Sequence, residues 1–174
     1  MDLFVEQIVA KKKSTRETVL QIFIWWVAAM LAVVLIYLMF IIRIGGIFLF
    51  VALIGEVFGA YKLSSKFNIE YEYALTNGYF DVDKIIAKSK RQRVLSTTCR
   101  DFETFGRYDA KEHVNKTYKT RIMACTENAE GQWYATVNTK DTGYTLVVFT
   151  PNERVLNALK KYVPRQVAGD AFRD

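Results

Sequence analysis

The chain has 174 residues, of which 51% are apolar, 24% are charged and two are proline, and its formal net charge is +6. This composition excludes a disordered or collagen-like chain, and two cysteines cannot form a disulfide scaffold. The apolar residues are concentrated, because Arg43 is the only charged residue between Glu17 and Glu56. The sequence therefore predicts a membrane segment joined to a folded domain of about a hundred residues.

Residues 1–17 form a basic N-terminal segment. Its apolar residues would share one side of a helix; they are Leu3, Phe4, Ile8 and Val9. Three lysines follow, Lys11, Lys12 and Lys13. A short helix lying on an anionic leaflet would use both features, with the lysines in contact with lipid. The alternative is a frayed basic leader that only fixes the topology.

Residues 18–63 are predicted to form a transmembrane helical hairpin. The first span covers about residues 18–42 and would reach ~37 Å, which is enough to cross a hydrocarbon core of ~30 Å. The second span, about residues 44–61, would reach ~27 Å and just cross. Arg43-Ile44-Gly45-Gly46 would form the turn between them, because glycine accepts the positive φ of a reversal.

Positive charge flanks the hairpin mainly on the side of the two termini. These flanking cations are Lys11, Lys12, Lys13, Arg16, Lys62 and Lys66, whereas the turn has Arg43 alone. The positive-inside rule then places the N- and C-termini in the cytoplasm. We expect a multi-pass protein of the plasma membrane.

Glu56 is the one acidic residue within the predicted spans, about five residues from the cytoplasmic end. A carboxyl group in a membrane is costly, so it indicates either a proton or ion site or an interfacial group partnered by Lys62. Gly55 and Gly59 form a G-x-x-x-G motif beside it, and small residues at this spacing let helices pack closely. Gly55, Glu56 and Gly59 could therefore pack within the hairpin or between copies in a homo-oligomer.

After residue 65 the hydrophobic period changes from helical to two, which indicates strands. Alternate residues from Phe67 to Leu75 share one face, and Asn77-Gly78 predicts a hairpin turn into the next strand, YFDVDKIIA. Further strands are expected at Arg91–Ser96, around Glu103–Arg107 and at 119–126, 132–139 and 143–149. The strands at 119–126 and 132–139 would form one hairpin, and Tyr108–Lys116 a polar loop. Seven short antiparallel strands indicate a small barrel or sandwich.

A C-terminal helix is predicted at residues 151–163, with Thr150 as N-cap and Glu153 completing a capping box. Its apolar stripe would cover an open end of the barrel. The folded domain would then span residues 66–164, and residues 165–174 would be a frayed tail.

This arrangement resembles bacterial membrane proteins that have two N-terminal transmembrane helices and a pleckstrin-homology-like (PH-like) domain. The resemblance covers about residues 18–164 and rests on the two spans and on three stretches: YEYALTNG at 71–78, KSKRQRVL at 88–95 and TLVVFTPNERVLNAL at 145–159. It implies a membrane α-helical hairpin plus an α+β domain, a seven-stranded antiparallel PH-like barrel capped by one C-terminal helix. It implies binding or scaffolding rather than catalysis. The first hairpin loop, Thr76-Asn77-Gly78, lacks the basic residues of phosphoinositide-binding members, so specific inositide recognition is not expected.

Lys88, Lys90, Arg91 and Arg93 form the densest basic patch of the predicted domain. If the patch faces the membrane, its residues would contact anionic lipid; the alternative is a solvated hairpin. Nucleic acid is not an expected partner, because the patch lacks interleaved aromatic residues on which bases could stack.

The sequence offers little that could perform catalysis or bind a cofactor. Cys99, His113 and Cys125 do not have the spacing of a zinc site, and a lone cysteine in a strand is usually part of the core. An enzyme using Cys99 or Cys125 remains a third hypothesis. The acidic pairs Glu70/Glu72 and Asp81/Asp83 are interpreted as solubilising residues, Trp133 with Ala135 and Val137 as core, and Tyr134 as exposed.

We therefore expect a non-enzymatic membrane protein without cofactor or metal. It would present a cytoplasmic PH-like domain to membrane lipids or to a protein partner. The alternative is a small oligomeric transport or ion-conducting subunit that uses Glu56.

Overall fold

The computed structural model describes residues 3–42, 46–127 and 129–172. The chain divides into two compact units. One is the helical hairpin, residues 13–68. The other, here called the β domain, combines residues 1–12 with residues 69–174. The hairpin is thus an insertion between the first strand of the β domain and the rest of it.

The hairpin consists of helix α1, Thr15–Ile41, and helix α2, Gly46–Ser65. Ser14 caps α1 in a capping box: its hydroxyl accepts from the Glu17 N–H, and the Glu17 carboxylate accepts from the Ser14 N–H. Helix α1 begins three residues before the predicted span and α2 ends four residues after it. Of the predicted turn Arg43-Ile44-Gly45-Gly46, residues 43–45 lie outside the described residues, and Gly46 is the first residue of α2.

The first sheet contains four antiparallel strands in chain order: β1, Phe4–Ala10; β2, Ile69–Thr76; β3, Tyr79–Ile86; and β4, Lys90–Thr98. Asn77 and Gly78 have φ values of 50° and 91°, as the primed hairpin turn between β2 and β3 requires. The hairpin predicted from Asn-Gly is therefore confirmed.

The predicted N-terminal interfacial helix is wrong, because these residues form β1, which pairs with β2 from Phe4 opposite Thr76 to Ala10 opposite Glu70. Exposure alternates along β1, with Phe4 and Ile8 outside and Val5 turned inward. The segment contains both helical and alternating apolar patterns, and pairing with β2 selects the alternating one.

The second sheet follows a 3-10 turn at Cys99–Asp101. Its strands are β5, Phe102–Arg107; β6, Thr120–Met123; β7, Trp133–Thr139; and β8, Gly143–Phe149, in the order β5-β7-β8-β6. The described residues therefore form eight strands in two sheets, and the predicted closed seven-stranded barrel is wrong.

The predicted hairpin of residues 119–126 with 132–139 is also wrong, because β6 pairs in parallel with β8. The connection after β6 is held by residues that lie far from it in the sequence. The Tyr73 hydroxyl donates to the Ala124 carbonyl, and the Lys12 N–H donates to the Thr126 hydroxyl over 2.9 Å.

Three short helices complete the β domain: α3, Ala110–Val114; α4, Glu153–Tyr162; and α5, Arg165–Ala171. Helix α3 lies in the predicted polar loop, and α5 lies in the predicted frayed tail. Asn152, not Thr150, caps α4, and its side chain accepts from the Val155 N–H over 2.9 Å. The Gln7 side chain explains this later start, because it bonds the Thr150 carbonyl and the Asn152 N–H and holds this segment extended.

The core of the β domain lies between the sheets and α4, with Phe80, Phe105 and Phe149 at its centre. From α4, Val155, Ala158 and Leu159 are buried, and the Phe172 ring after α5 packs on Trp133 at 5.3 Å. Trp133, Ala135 and Val137 are buried as predicted. Tyr134 lies on the opposite face of β7 and is half-buried, whereas the prediction placed it in solvent.

Candidate functional site

Both long helices present apolar side chains outward. By length and composition each could cross a membrane. Among the described residues of the two helices only Ala28, Ala60 and Ser64 are buried. Apolar surface on this scale requires a lipid or protein cover, which supports the predicted spans.

A polar contact joins the two helices near the end of α2. Ser64 Oγ accepts hydrogen bonds from Gln21 Nε2 at 2.7 Å and from Trp25 Nε1 at 3.2 Å. Lys13 Nζ in turn donates to Gln21 Oε1 at 2.7 Å. This contact was not predicted. The sequence does place Gln21, Trp25 and Ser64, which have polar groups, near the same end of an otherwise apolar hairpin.

Glu56 lies in the middle of α2, ten residues after Gly46 and nine before Ser65. The helix continues past the predicted end of the span through Lys62 to Ser65, and the depth of Glu56 in a membrane stays a prediction. The Lys62 ammonium lies over the Phe58 ring at 5.3 Å. The ion-conducting alternative built on Glu56 stays a prediction.

Glu56 lines a groove of about 310 Å³ between α1 and α2. The other walls are apolar side chains of α1 between Phe23 and Leu31, together with Gly59, Ala60 and Leu63 of α2. Glu56 Oε2 is buried there, without a hydrogen-bond partner among the residues that the structure describes. A Cβ placed on Gly55 or Gly59 would meet nothing within 4 Å beyond its own helical turn, so this side of α2 is open.

The predicted basic patch lies on β4 and on the turn before it. Lys88 and Lys90 are exposed, and Lys88 Nζ approaches Glu70 to 3.9 Å. Arg91 and Arg93 are engaged by carboxylates: Arg91 bonds Glu72 at 2.5 Å, while Arg93 bonds Asp83 at 2.9 Å and Asp81 at 3.1 Å. Lipid contact by the four residues stays a prediction, and only the two lysines have weakly compensated charges.

Glu72 and Asp83 correct the interpretation of the acidic pairs as solubilising residues, because each is only 5% exposed. They lie side by side on the outer face of the first sheet under the two arginines. Burial raises the pKa of Glu72, although nearby Arg91 opposes this effect. The hydrogen bond to Asp83 raises the pKa of Arg93. This is an ion-pair ladder that holds β2, β3 and β4 together.

The turn between β3 and β4 is strained. Ala87 and Lys88 have φ values of 53° and 55°, a region that favours glycine, and the Ser89 N–H donates to the Ile86 carbonyl. The register places this turn at the same end of the first sheet as Ala10, the last residue of β1. Ala10 faces Glu70, Glu70 faces Ile85, and Ile86 faces Lys90. The turn therefore lies at the end of the sheet where the chain leaves and re-enters the β domain.

The predicted N-terminal lysines lie at the same end of the first sheet or just beyond it. The Lys11 N–H donates to the Ile69 carbonyl at 3.0 Å, which extends the pairing of β1 with β2. Lys12 is exposed, and Lys13 belongs to the helical hairpin. Their contact with lipid stays a prediction.

His113, predicted in a polar loop, is 1% exposed and surrounded by tyrosines. Its Nδ1 lies 2.7 Å from the Tyr118 hydroxyl, and its ring contacts those of Tyr134 at 4.2 Å and Tyr108 at 5.4 Å. Burial lowers its pKa, and nearby Lys116 lowers it further. A neutral histidine here fixes α3 against the second sheet.

The two cysteines are buried in different clusters. Burial raises the pKa of Cys99 to about 12 and also raises the pKa of Cys125, whose sulfur accepts from Gln132 at 3.1 Å. Neither thiol has the lowered pKa of a catalytic nucleophile. No group of three or more His, Cys, Asp or Glu side chains suited to a metal ion occurs in the described ranges.

At the other end of the first sheet lies a groove of about 230 Å³ beside the Asn77-Gly78 turn. Arg100 and Tyr162 line it, and the Tyr162 ring packs so closely that a Cβ at Gly78 would approach it to 2.9 Å. The sequence did not predict Arg100 at this groove, because Arg100 follows β4 and lies far along the chain from the Asn77-Gly78 turn.

Two packed sheets closed by a C-terminal helix, with two long apolar helices inserted after the first strand, define a PH-like β domain attached to a candidate membrane hairpin. The family model described as "Bacterial PH-like domain (DUF6106)" matches residues 1–169. The chain belongs to this family. No curated protein and no solved structure matches it.

Proposed function

We propose that the protein is a membrane-anchored, non-enzymatic binding module. The observation that carries this proposal is the insertion of two outward-facing apolar helices between β1 and β2 of one PH-like domain. Anchoring raises the effective concentration of the domain near the membrane, so weak contacts with lipid or with a membrane partner suffice.

The connections support a close tether. Residues 11–14 join β1 to α1, and residues 66–68 join α2 to β2. The shorter connection spans at most about 14 Å when fully extended. The tethered end of the first sheet carries exposed lysines at 12, 88 and 90, which could attract anionic headgroups by about 1 kcal/mol each. By the positive-inside rule this end lies on the cytoplasmic side.

Hydrogen exchange on the full-length protein tests this proposal in nanodiscs of zwitterionic lipid with and without phosphatidylglycerol. We expect anionic lipid to slow exchange in residues 86–90 of the wild type. A K88S/K90S double variant should lose this effect, and K140S, which removes an exposed lysine of the β7–β8 turn, should keep it. Identical exchange in both lipids would remove the lipid-binding part of the proposal.

A further inference from the structure

The groove beside Glu56 contains an unmatched polar group. One carboxyl oxygen is buried between apolar walls, and it has no partner within the described part of the hairpin. In a bilayer such a group is costly unless it is protonated or receives a hydrogen bond from a donor. The carboxyl group is therefore either protonated in the groove or matched by a polar group from outside the described hairpin.

The chain itself does not bring a cation to this depth. Between Glu17 and Lys62 its only lysine, arginine or histidine is Arg43, which precedes α2. Glu56 lies ten residues beyond the first residue of α2, about 15 Å along the helix. A second copy of the chain has the same spans and the same lack of a cation at mid-helix.

The wall of the groove permits close approach of a helix. Gly59 and Ala60 line it from α2 and Ala28 from α1, and space is open at the Cβ position of Gly59. Small residues let helix backbones approach in a membrane, where packing and interhelical hydrogen bonds drive association. An apolar helix with one donor fits such a wall better than a lipid chain does, because a lipid chain offers Glu56 no donor.

We propose that this groove binds a transmembrane helix of another membrane protein, and that this helix carries a lysine, arginine or histidine near mid-bilayer that pairs with Glu56. The inference rests on the proposed membrane anchoring and adds the kind of partner. The charge of Glu56 selects the partner, and the small residues set the distance of approach.

The test uses the full-length protein in liposomes and synthetic leucine-alanine transmembrane peptides as probes. One peptide has a single central lysine, the second has leucine at that position, and the third has the lysine moved to its end. Energy transfer between dye-labelled protein and peptide measures association. We expect the central-lysine peptide to bind the wild type about tenfold more tightly than the other two.

Substitutions of Glu56 distinguish the effect of its charge from the effect of the shape of the groove. E56Q should reduce the preference for central lysine severalfold and E56L should abolish it, whereas E70Q in the β domain should leave it unchanged. Equal binding of the three peptides, no binding, or a preference that survives E56L would overturn the inference, as would association of the protein only with itself.

Sedimentation of each variant with the liposomes after an alkaline wash tests the membrane anchor separately from the binding of the partner helix. A wild type that washes off would refute the membrane anchor and the inference together. A wild type that remains in the bilayer and ignores the lysine peptide would refute the inference alone.

Discussion

Apolar and acidic side chains have opposite environments in the β domain and in the helical hairpin. The β domain has a core of buried apolar residues, and its buried carboxylates Glu72 and Asp83 have arginine partners within the domain. Along the hairpin the apolar residues face outward, and a carboxyl oxygen of Glu56 has no partner in the described residues. The carboxylates buried in the β domain are thus paired from within it, whereas Glu56 depends on its surroundings for a partner.

The largest expected effect contrasts two phenylalanines, one from each region. Phe149 is fully buried among the rings of Tyr73, Phe80 and Phe105, whereas Phe48 on α2 is 79% exposed. Phe149→Ala should lower the free energy of unfolding of the β domain by about 3–5 kcal/mol because it leaves a cavity. Phe48→Ala should change it by less than about 0.5 kcal/mol. Denaturant unfolding of the full chain in detergent, followed by circular dichroism, would check both, and similar losses would refute the contrast.

The second largest effect on stability is expected at the buried acidic residues of the β domain. Asp83→Asn should destabilise the β domain by about 1.5–3 kcal/mol, because Arg93 loses a charged acceptor that it contacts through two nitrogens. Asp141→Asn, in the exposed β7–β8 turn, is the matched control and should be nearly neutral. The same unfolding assay applies, and a neutral Asp83→Asn would mean that the ion-pair ladder does not stabilise the sheet.

A stabilising change is expected at the strained turn. Replacing Ala87 with Asn and Lys88 with Gly should raise the free energy of unfolding by about 1–2 kcal/mol, because these residues accept positive φ values with less strain. Lys88→Ser removes the charge and retains the strain, so it should give no such gain. Thermal unfolding of the three proteins would measure the difference, and a gain in Lys88→Ser would assign the effect to charge instead.

The smallest effect is a pH dependence from His113. Its folded-state pKa lies below the ordinary value of 6.5, so the unfolded chain binds the proton more readily. Its contribution to stability is complete above about pH 6.5 and is lost as pH falls toward the folded-state pKa. His113→Asn should flatten the stability curve in this window. Urea unfolding between pH 5 and 7.5 would show it, and an unchanged slope would exclude His113 as the source.

Local patterns predicted much of the fold. Asn77-Gly78 specified the β2–β3 turn by its backbone preferences, and the alternation at Trp133, Ala135 and Val137 specified an inward face. Long-range pairing was not readable, because β1 joins β2 across the whole helical hairpin and β6 joins β8 in parallel. Neither partner could be chosen from the periodicity of one segment.

The candidate sites were predicted less well. The apolar run located the two helices, but α2 continues beyond Tyr61 through polar residues, and this moves Glu56 to mid-helix. The basic patch was visible as a run of charges, whereas the neutralisation of Arg91 and Arg93 depends on which strands are neighbours. Charge runs in a sequence do not reveal their partners until the register is known.

The central claim is that α1 and α2 lie in lipid while the β domain lies in water. Spin labels on Val33→Cys in α1 and on Lys140→Cys in the β7–β8 turn test it directly in liposomes, because native Cys99 and Cys125 are buried. Relaxation by oxygen should dominate at position 33 and relaxation by a water-soluble nickel chelate at position 140. Strong relaxation by the nickel chelate at position 33 would contradict the account.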